Sequence, residues 1–422
     1  MCIDRYHSAP QRRGLQRGLS LVEIMVGMVI AMIGVVIIFQ MLATSEERKR
    51  SASSGSDMQV TGIVSITALE RDIREAGHGF SSAAYDRDPD GTAVTPVMGC
   101  TVQAYDFARP VRPFTFTLAP VMIAQGGGTA SDTITVLRGI GRTFPAAHVF
   151  TATNEATSTK KTLGRAGLSP SDMVIIANPT PECMLAQVTE TEDNPLLVPC
   201  LECKDGLSVR FTAADGDYKK IVLQPDGTTS ILPKKARYNN PVSPITFSAG
   251  FIFNLGDVAQ RRIWTVTNAG KLLVTNDLLY VDTTPADGLN DSLEIGDNII
   301  NLQAEYGVDA NNNGRIEAGE WTTTDPAGAQ WANVLAVRMA ILMRSPQYER
   351  TAVTQVVPNW SGGVNPDGTP KAGSALVLTN LDGTASSTVP ANTADYWKHY
   401  RYRVYETVIP LRNILWGSNI KP

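Results

Sequence analysis

Residues 18–39 read Gly18-Leu-Ser-Leu-Val-Glu23-Ile-Met-Val-Gly-Met-Val-Ile-Ala-Met-Ile-Gly-Val-Val-Ile-Ile-Phe39, and the rest of the chain is organised around this stretch. From Ile24 to Phe39 no side chain is charged or strongly polar. Together with Leu19–Val22 the run reaches the ~20 residues a helix needs to cross a hydrocarbon core of about 30 Å. Only Ser20 and Glu23 interrupt it. A carboxylate is costly inside such a segment, so Glu23 reads as functional, with an amine as its natural partner. Ahead of the run, Arg5, Arg12, Arg13 and Arg17 stand against Asp4, a positive leader that orients the N-terminus towards the cytoplasm.

Gly18-Leu19-Ser20-Leu21-Val22-Glu23 followed by an apolar helix resembles the class III signal of type IV pilins and pseudopilins. The resemblance implies that a prepilin peptidase cuts between Gly18 and Leu19 and methylates Leu19, leaving Glu23 as the fifth mature residue. Family members most often carry phenylalanine where Leu19 stands. The physics agrees: free N–H groups and positive dipole character at a helix start favour a carboxylate, and in a filament Glu23 can meet the terminal amine of a neighbour. The ordinary alternative is a secretory signal cut near Ala43 and Ser45. Against it stand the length of the apolar run, the glutamate near its start and the absence of a helix breaker before Ala43.

Lys and Arg number 37 against 41 Asp and Glu, a net charge of −4. Loss of the leader removes four Arg and one Asp and shifts the charge to −7. There is no basic surplus to make nucleic acid the main partner. With 35 Gly and 25 Pro and many short β-branched and aromatic runs, the region beyond the helix reads as strands and loops.

The expected organisation is a leader (1–18), a membrane and filament-core helix (19–44), an amphipathic continuation (45–77) and a large β-rich exported domain (78–422). Ser51–Asp57, containing Gly55, marks a kink or local melting. Val60, Ile63, Ile66, Leu69, Ile73 and Ala76 form an apolar stripe that packs on the domain, with Glu70, Arg71, Asp72, Arg74 and Glu75 on the polar face of a helix ending near Gly77. Expected strands include 114–118, 133–137, 173–177, 207–211, 220–223, 245–253, 262–267, 278–281, 299–308, 333–344 and 400–409. The fold class is α+β: a long N-terminal helix packed on a large β-rich domain.

Of five cysteines, Cys2 lies in the leader, and Cys100, Cys183, Cys200 and Cys203 form an even set in an exported domain. Two disulfides are the economical reading, with three connectivities open. The rival is a metal site on the Cys200-x-x-Cys203 pair, for which a second pair is missing.

Asp309-Ala-Asn311-Asn-Asn313-Gly314-Arg315-Ile-Glu317-Ala-Gly-Glu320 matches the twelve-residue calcium-loop pattern at every specified position. Asp309, Asn311 and Asn313 offer side-chain oxygens, Arg315 its carbonyl, Glu317 a direct or water-mediated contact and Glu320 both oxygens. The few charges point to weak, extracellular-range affinity. The flanks read as strands, and a tight hairpin loop that needs no ion has the same composition. Asp86–Gly91 repeats only the first half of the pattern, with Val97 at the glutamate position.

His78, His148 and His399 are scattered singly, with no metalloprotease, nucleophile-elbow or phosphate-loop motif, so no enzyme is expected. Leu69–Gly77, Tyr306–Asp309, Trp331–Arg338 and Tyr402–Asn413 resemble minor pilins of the PilW type. That resemblance implies a low-abundance pilus subunit that starts assembly in a tip or priming complex. Its partners are prepilin peptidase, other minor pilins, the major pilin and the inner-membrane assembly platform. It moves from the inner membrane, with its domain in the periplasm, to the fibre at the cell surface. A minor pseudopilin of type II secretion and a pilus-tip adhesin or receptor are the rival readings.

Overall fold

The computed structural model describes residues 20–84, 96–127, 130–140, 147–150, 158–164, 166–178, 182–191, 207–224, 226, 228–240, 247, 249–279, 292–365, 367–376, 378 and 396–418. The chain divides into two compact units, Met1–Ser54 and Gly55–Pro422.

Helix α1 runs Leu21–Arg74 without interruption. The helix continues through Ser51–Asp57, so the local melting read there is not seen: small serines and a single glycine cost a helix roughly 1 kcal/mol or less each, too little to break it. The helix ends where Gly77 takes a left-handed φ of 79° and its N–H is accepted by Leu137 O at 3.0 Å.

Within the second unit the helix packs through Met58, Gly62, Ser65, Ile66, Leu69, Asp72, Ile73 and Ala76. This is not quite the expected stripe. Val60 and Ile63 are 61% and 56% exposed, whereas Asp72, assigned to the polar face, is only 2% exposed. Small residues explain the rotation. A Cβ on Gly62 would lie 2.3 Å from Tyr405 Cε2, and a Cβ on Gly296 would lie 2.2 Å from Ser65 Oγ, so the helix sits too close for branched side chains. Leu69 and Ile73, both fully buried, each contribute on the order of 1.5–3 kcal/mol by leaving water.

The described strands are β1 (Thr101–Tyr105), β2 (Pro113–Thr117), β3 (Val121–Ala124), β4 (Thr133–Arg138), β5 (His148–Phe150), β6 (Thr159–Lys161) and β7 (Met173–Ala177). Next come β8 (Glu182–Gln187), β9 (Ser208–Arg210), β10 (Asp217–Leu223), β11 (Thr229–Lys235), β12 (Gly250–Gly256) and β13 (Gln260–Val266). The last are β14 (Leu272–Asn276), β15 (Leu293–Gly296), β16 (Ile299–Val308), β17 (Trp321–Thr322), β18 (Val334–Arg344) and β19 (Tyr402–Pro410), before a short helix α2 (Arg412–Ser418). The strand expected at 278–281 is replaced at Asp277–Leu279 by a 3-10 turn, and the apolar run before it, Leu272–Asn276, pairs instead.

Three larger sheets result, with strand orders β2-β1-β8-β7-β12-β5, β15-β14-β13-β4-β3 and β17-β16-β18-β19, plus the pairs β10-β11 and β6-β9. The main core joins α1 to all three, through Leu69, Ile73, Trp264, Leu302, Tyr306, Met339, Ile341 and Ile409 among others. The six-stranded sheet is apolar on both faces: Ile175 and Phe253 face the main core, Val174, Ile176 and Ile252 a second one. That continuous apolarity is why Met173–Ala177 reads without alternation. Helix and sheets together make the fold α+β, a long N-terminal apolar helix followed by a large β-rich domain.

Candidate functional site

Glu23 lies in the first turn of α1, whose opening bond runs from Ile24 N–H to Ser20 O at 3.1 Å. The apolar side chains of this part of the helix find no cover among the described residues: Leu21, Met32 and Phe39 are 74%, 73% and 67% exposed. The apolar span is long enough to cross a membrane and has none of its surface buried. Glu23 makes no ion pair among the described residues. Gly18 and Leu19 lie outside the described residues.

Where α1 ends, its attachment is polar. Asp72 accepts Arg262 Nη1 at 2.8 and 3.1 Å and Trp264 Nε1 at 3.0 Å, with Arg138 3.8 Å away. Burial holds the Arg138 pKa below its usual value, opposed by Asp72. Asn413 Nδ2 donates to Glu75 O at 3.2 Å and Ala76 O at 2.9 Å, so the segment after β19 fastens the turn that follows α1. An aspartate three residues after Leu69 and four before Ala76 is on the packing face by spacing, a signal that charge alone obscured.

Residues 309–320 join β16 to β17, which pair antiparallel with Tyr306 opposite Thr322 and Gly307 opposite Trp321. The flanks are therefore strands. Asp309 accepts Asn313 N–H at 3.0 Å and Gly314 N–H at 2.7 Å; Asn311 and Asn313 accept the N–H groups of Asn313 and Arg315. Glu320 accepts Ala310 N–H at 3.1 Å and Glu317 N–H at 2.8 Å, while Asn313 Nδ2 donates to Glu317 at 3.1 Å. Gly314, at φ 77°, makes the turn. Among the described residues no group of three or more His, Cys, Asp or Glu side chains is gathered to hold a metal ion. The loop is closed by its own amides. Each oxygen of Asp309 and of Glu320 accepts a single N–H and keeps capacity for a second contact. The half-pattern at 86–91 lies outside the described residues.

Sequence reading missed a buried ionic cluster beside this loop. Glu305 on β16 is fully buried; it accepts Arg338 Nε at 2.7 Å, Lys371 Nζ at 2.6 Å and the Ser374 hydroxyl. Arg338 also lies over Trp321 and Trp360, 4.7 and 5.7 Å from the ring centroids. The clue was the period of two in Asn301, Gln303 and Glu305, all fully buried on one side of an apolar strand. Nearby, Asp132 is 1% exposed and accepts Gly126 N–H and Ala304 N–H, both at 2.8 Å. Burial pushes its carboxyl from 3.8 up to about 6; the two amides oppose the rise and Glu305 adds to it.

Cys100 and Cys183 form a disulfide, with Cα atoms 6.0 Å apart, beside the parallel β1–β8 pairing. Cys200 and Cys203 lie outside the described residues. His78, His148 and His399 each set Nδ1 against a main-chain carbonyl, those of Gly139, Gly164 and Glu349.

Two family models match the chain: Type IV Pilus-assembly protein W over residues 263–413, and the Prokaryotic N-terminal methylation motif over residues 13–39. No curated protein and no solved structure matches it. The first match spans β13 to the start of α2, thus Arg262's neighbour Ile263 and Trp264, the loop 309–320, the Glu305 cluster and Asn413. The second spans the signal and the apolar helix. These two matches support a type IV pilus minor pilin with a class III prepilin signal, which the chain resembles over its N-terminal helix and over the stretch from β13 to α2.

Proposed function

We propose that prepilin peptidase cuts the chain between Gly18 and Leu19, that Leu19 is methylated, and that the mature protein takes part in starting a type IV pilus within a tip or priming complex of minor pilins. The observation that carries this reading is a helix apolar and exposed from Leu21 to Leu42, joined to a large folded domain. Such a surface is stable in a bilayer and then among the helices of other subunits, the major pilin included. Glu23, with no ion-pair partner among the described residues, pairs with the methylated amine of a neighbour during transfer from the assembly platform. The domain faces the periplasm first and the cell surface once the fibre extends. Its bulk favours the tip, where no subunit stacks above it.

Immunogold labelling of sheared pili tests the placement. Label confined to one end supports it; label spread evenly along the fibre contradicts it. Deletion of the gene separates the secretion rival, since loss of exoprotein secretion with normal piliation identifies a pseudopilin. An adhesin instead predicts normal piliation with lost surface binding when the domain is altered.

The loop 309–320 is proposed to take Ca2+ through Asp309, Asn311, Asn313, the Arg315 carbonyl, Glu317 and Glu320. The support is the complete sequence pattern and the spare acceptor capacity of Asp309 and Glu320. Bound calcium would supply cross-linking of the β16–β17 turn, not chemistry.

A further inference from the structure

β19 is the outermost strand of its sheet and, at nine residues, the longest edge strand among the described residues. Its inner side pairs with β18 in unbroken register from Ala336 opposite Pro410 to Arg344 opposite Tyr402. Two bonds fix the phase of that ladder: Leu411 N–H donates to Leu335 O, and Ser345 N–H to Arg401 O, both at 2.8 Å. Odd-numbered residues of β19 therefore exchange bonds with β18, and the N–H groups of Tyr402, Val404, Glu406 and Val408 point away from the sheet. None of these four amides has a hydrogen-bond partner among the described residues, and only Ile409 in the strand is buried.

An edge of this kind is normally blunted by bulges, inward charges or proline. β19 has no bulge against β18, and its proline comes last, at position 410. Val408 presents an apolar side chain, 56% exposed, beside the open amides. The flanking charge is positive: Arg403 and Arg412 are exposed with no acidic partner among the described residues, Arg401 is held by Glu349, and Glu406 is the only acid in the strand. This local cationic character stands out in a chain of net charge −4.

We infer that the outer edge of β19 accepts an extended, acidic strand from another exported subunit, main-chain bonds supplying affinity and Arg403 and Arg412 selecting negative side chains. For the subunit it names, the inference rests on the assembly reading above. An acidic strand complements these arginines; a second copy of this edge would bring like charge against like.

The test uses the full chain in detergent and two fluorescein-labelled peptides, one alternating Val and Glu, the other Val and Lys. Anisotropy is expected to show binding of the acidic peptide and roughly tenfold weaker binding of the basic one. Val408→Pro removes an outward N–H that β18 does not use and is expected to weaken the acidic peptide about tenfold at an unchanged melting temperature. If that variant melts early, the double change Arg403→Glu, Arg412→Glu, which leaves the backbone intact, carries the test with the same expected loss. No binding of the acidic peptide, equal binding of both peptides, or binding unaffected by the variants overturns the proposal. A dimer in sedimentation that Val408→Pro disperses would assign the edge to a second copy and overturn it too. The amount of wild-type chain in sheared pili reports on the assembly reading separately.

Discussion

Asp72 on α1 accepts the indole N–H of Trp264 on β13 at 3.0 Å, and the pair is almost completely buried, at 2% and 1% exposure. With Arg262 on the same carboxylate, a negative charge taken from the helix seats the helix end on the five-stranded sheet. Both residues lie in the second unit, where the contact joins the end of α1 to the stretch that the PilW-type model matches.

Asp72→Ala leaves the buried Trp264 N–H without its acceptor and takes the carboxylate from Arg262, which is 32% exposed. Leaving a buried donor unsatisfied costs about 1–3 kcal/mol. Urea unfolding of the full chain in detergent is expected to show a loss of that order. Asp72→Asn, which keeps an acceptor for Trp264, should lose less. Equal stability of wild type and Asp72→Ala would show that the contact does not hold the helix.

Asp132 makes stability depend on pH in an unusual direction. Its folded pKa, about 6, lies above the ordinary 3.8, so its stabilising contribution is fully present below the ordinary value and is lost as pH rises through 6. A shift of two units corresponds to roughly 3 kcal/mol. Acidification from pH 7 to 5 should therefore stabilise the domain through this group. Urea midpoints at pH 5, 6 and 7 are expected to rise towards acid more steeply in wild type than in Asp132→Asn. Parallel curves would contradict the assignment.

Calcium should raise the melting temperature of the full chain, half-maximally near the 10⁻⁴–10⁻³ M range of weak extracellular sites. Glu320→Gln removes one of the few charges in the set and should move that midpoint about tenfold higher. No response to calcium up to about 10 mM, well above that range, would leave the loop as a hairpin turn closed by its own amides.

The sequence was most legible where one physical demand dominated. The apolar run 24–39 has to be a helix because nothing else satisfies its backbone in lipid, and Val334–Arg344 and Tyr402–Pro410 declare themselves through β-branched and alternating residues. It was least legible where contacts between distant segments decide. Val60 and Ile63 continue the apolar periodicity, yet Gly62 and Ser65 take the packing face because Tyr405 and Gly296, far along the chain, come close there. Asp72 and Glu305 look like surface charges until Arg262, Trp264, Arg338 and Lys371 are brought to them. The six positions proposed for calcium lie in one loop between β16 and β17, but the spacing could not show that Asp309 and Glu320 fasten its amides.

The central claim is entry through the prepilin route, and intact mass of the membrane-extracted protein tests it most directly. In cells with prepilin peptidase the mass should equal a chain beginning at methylated Leu19, and in cells without it the leader 1–18 should remain. Cleavage near Ser45, or an uncut chain in both strains, would contradict the account and leave a secreted or singly anchored domain with no place in a pilus.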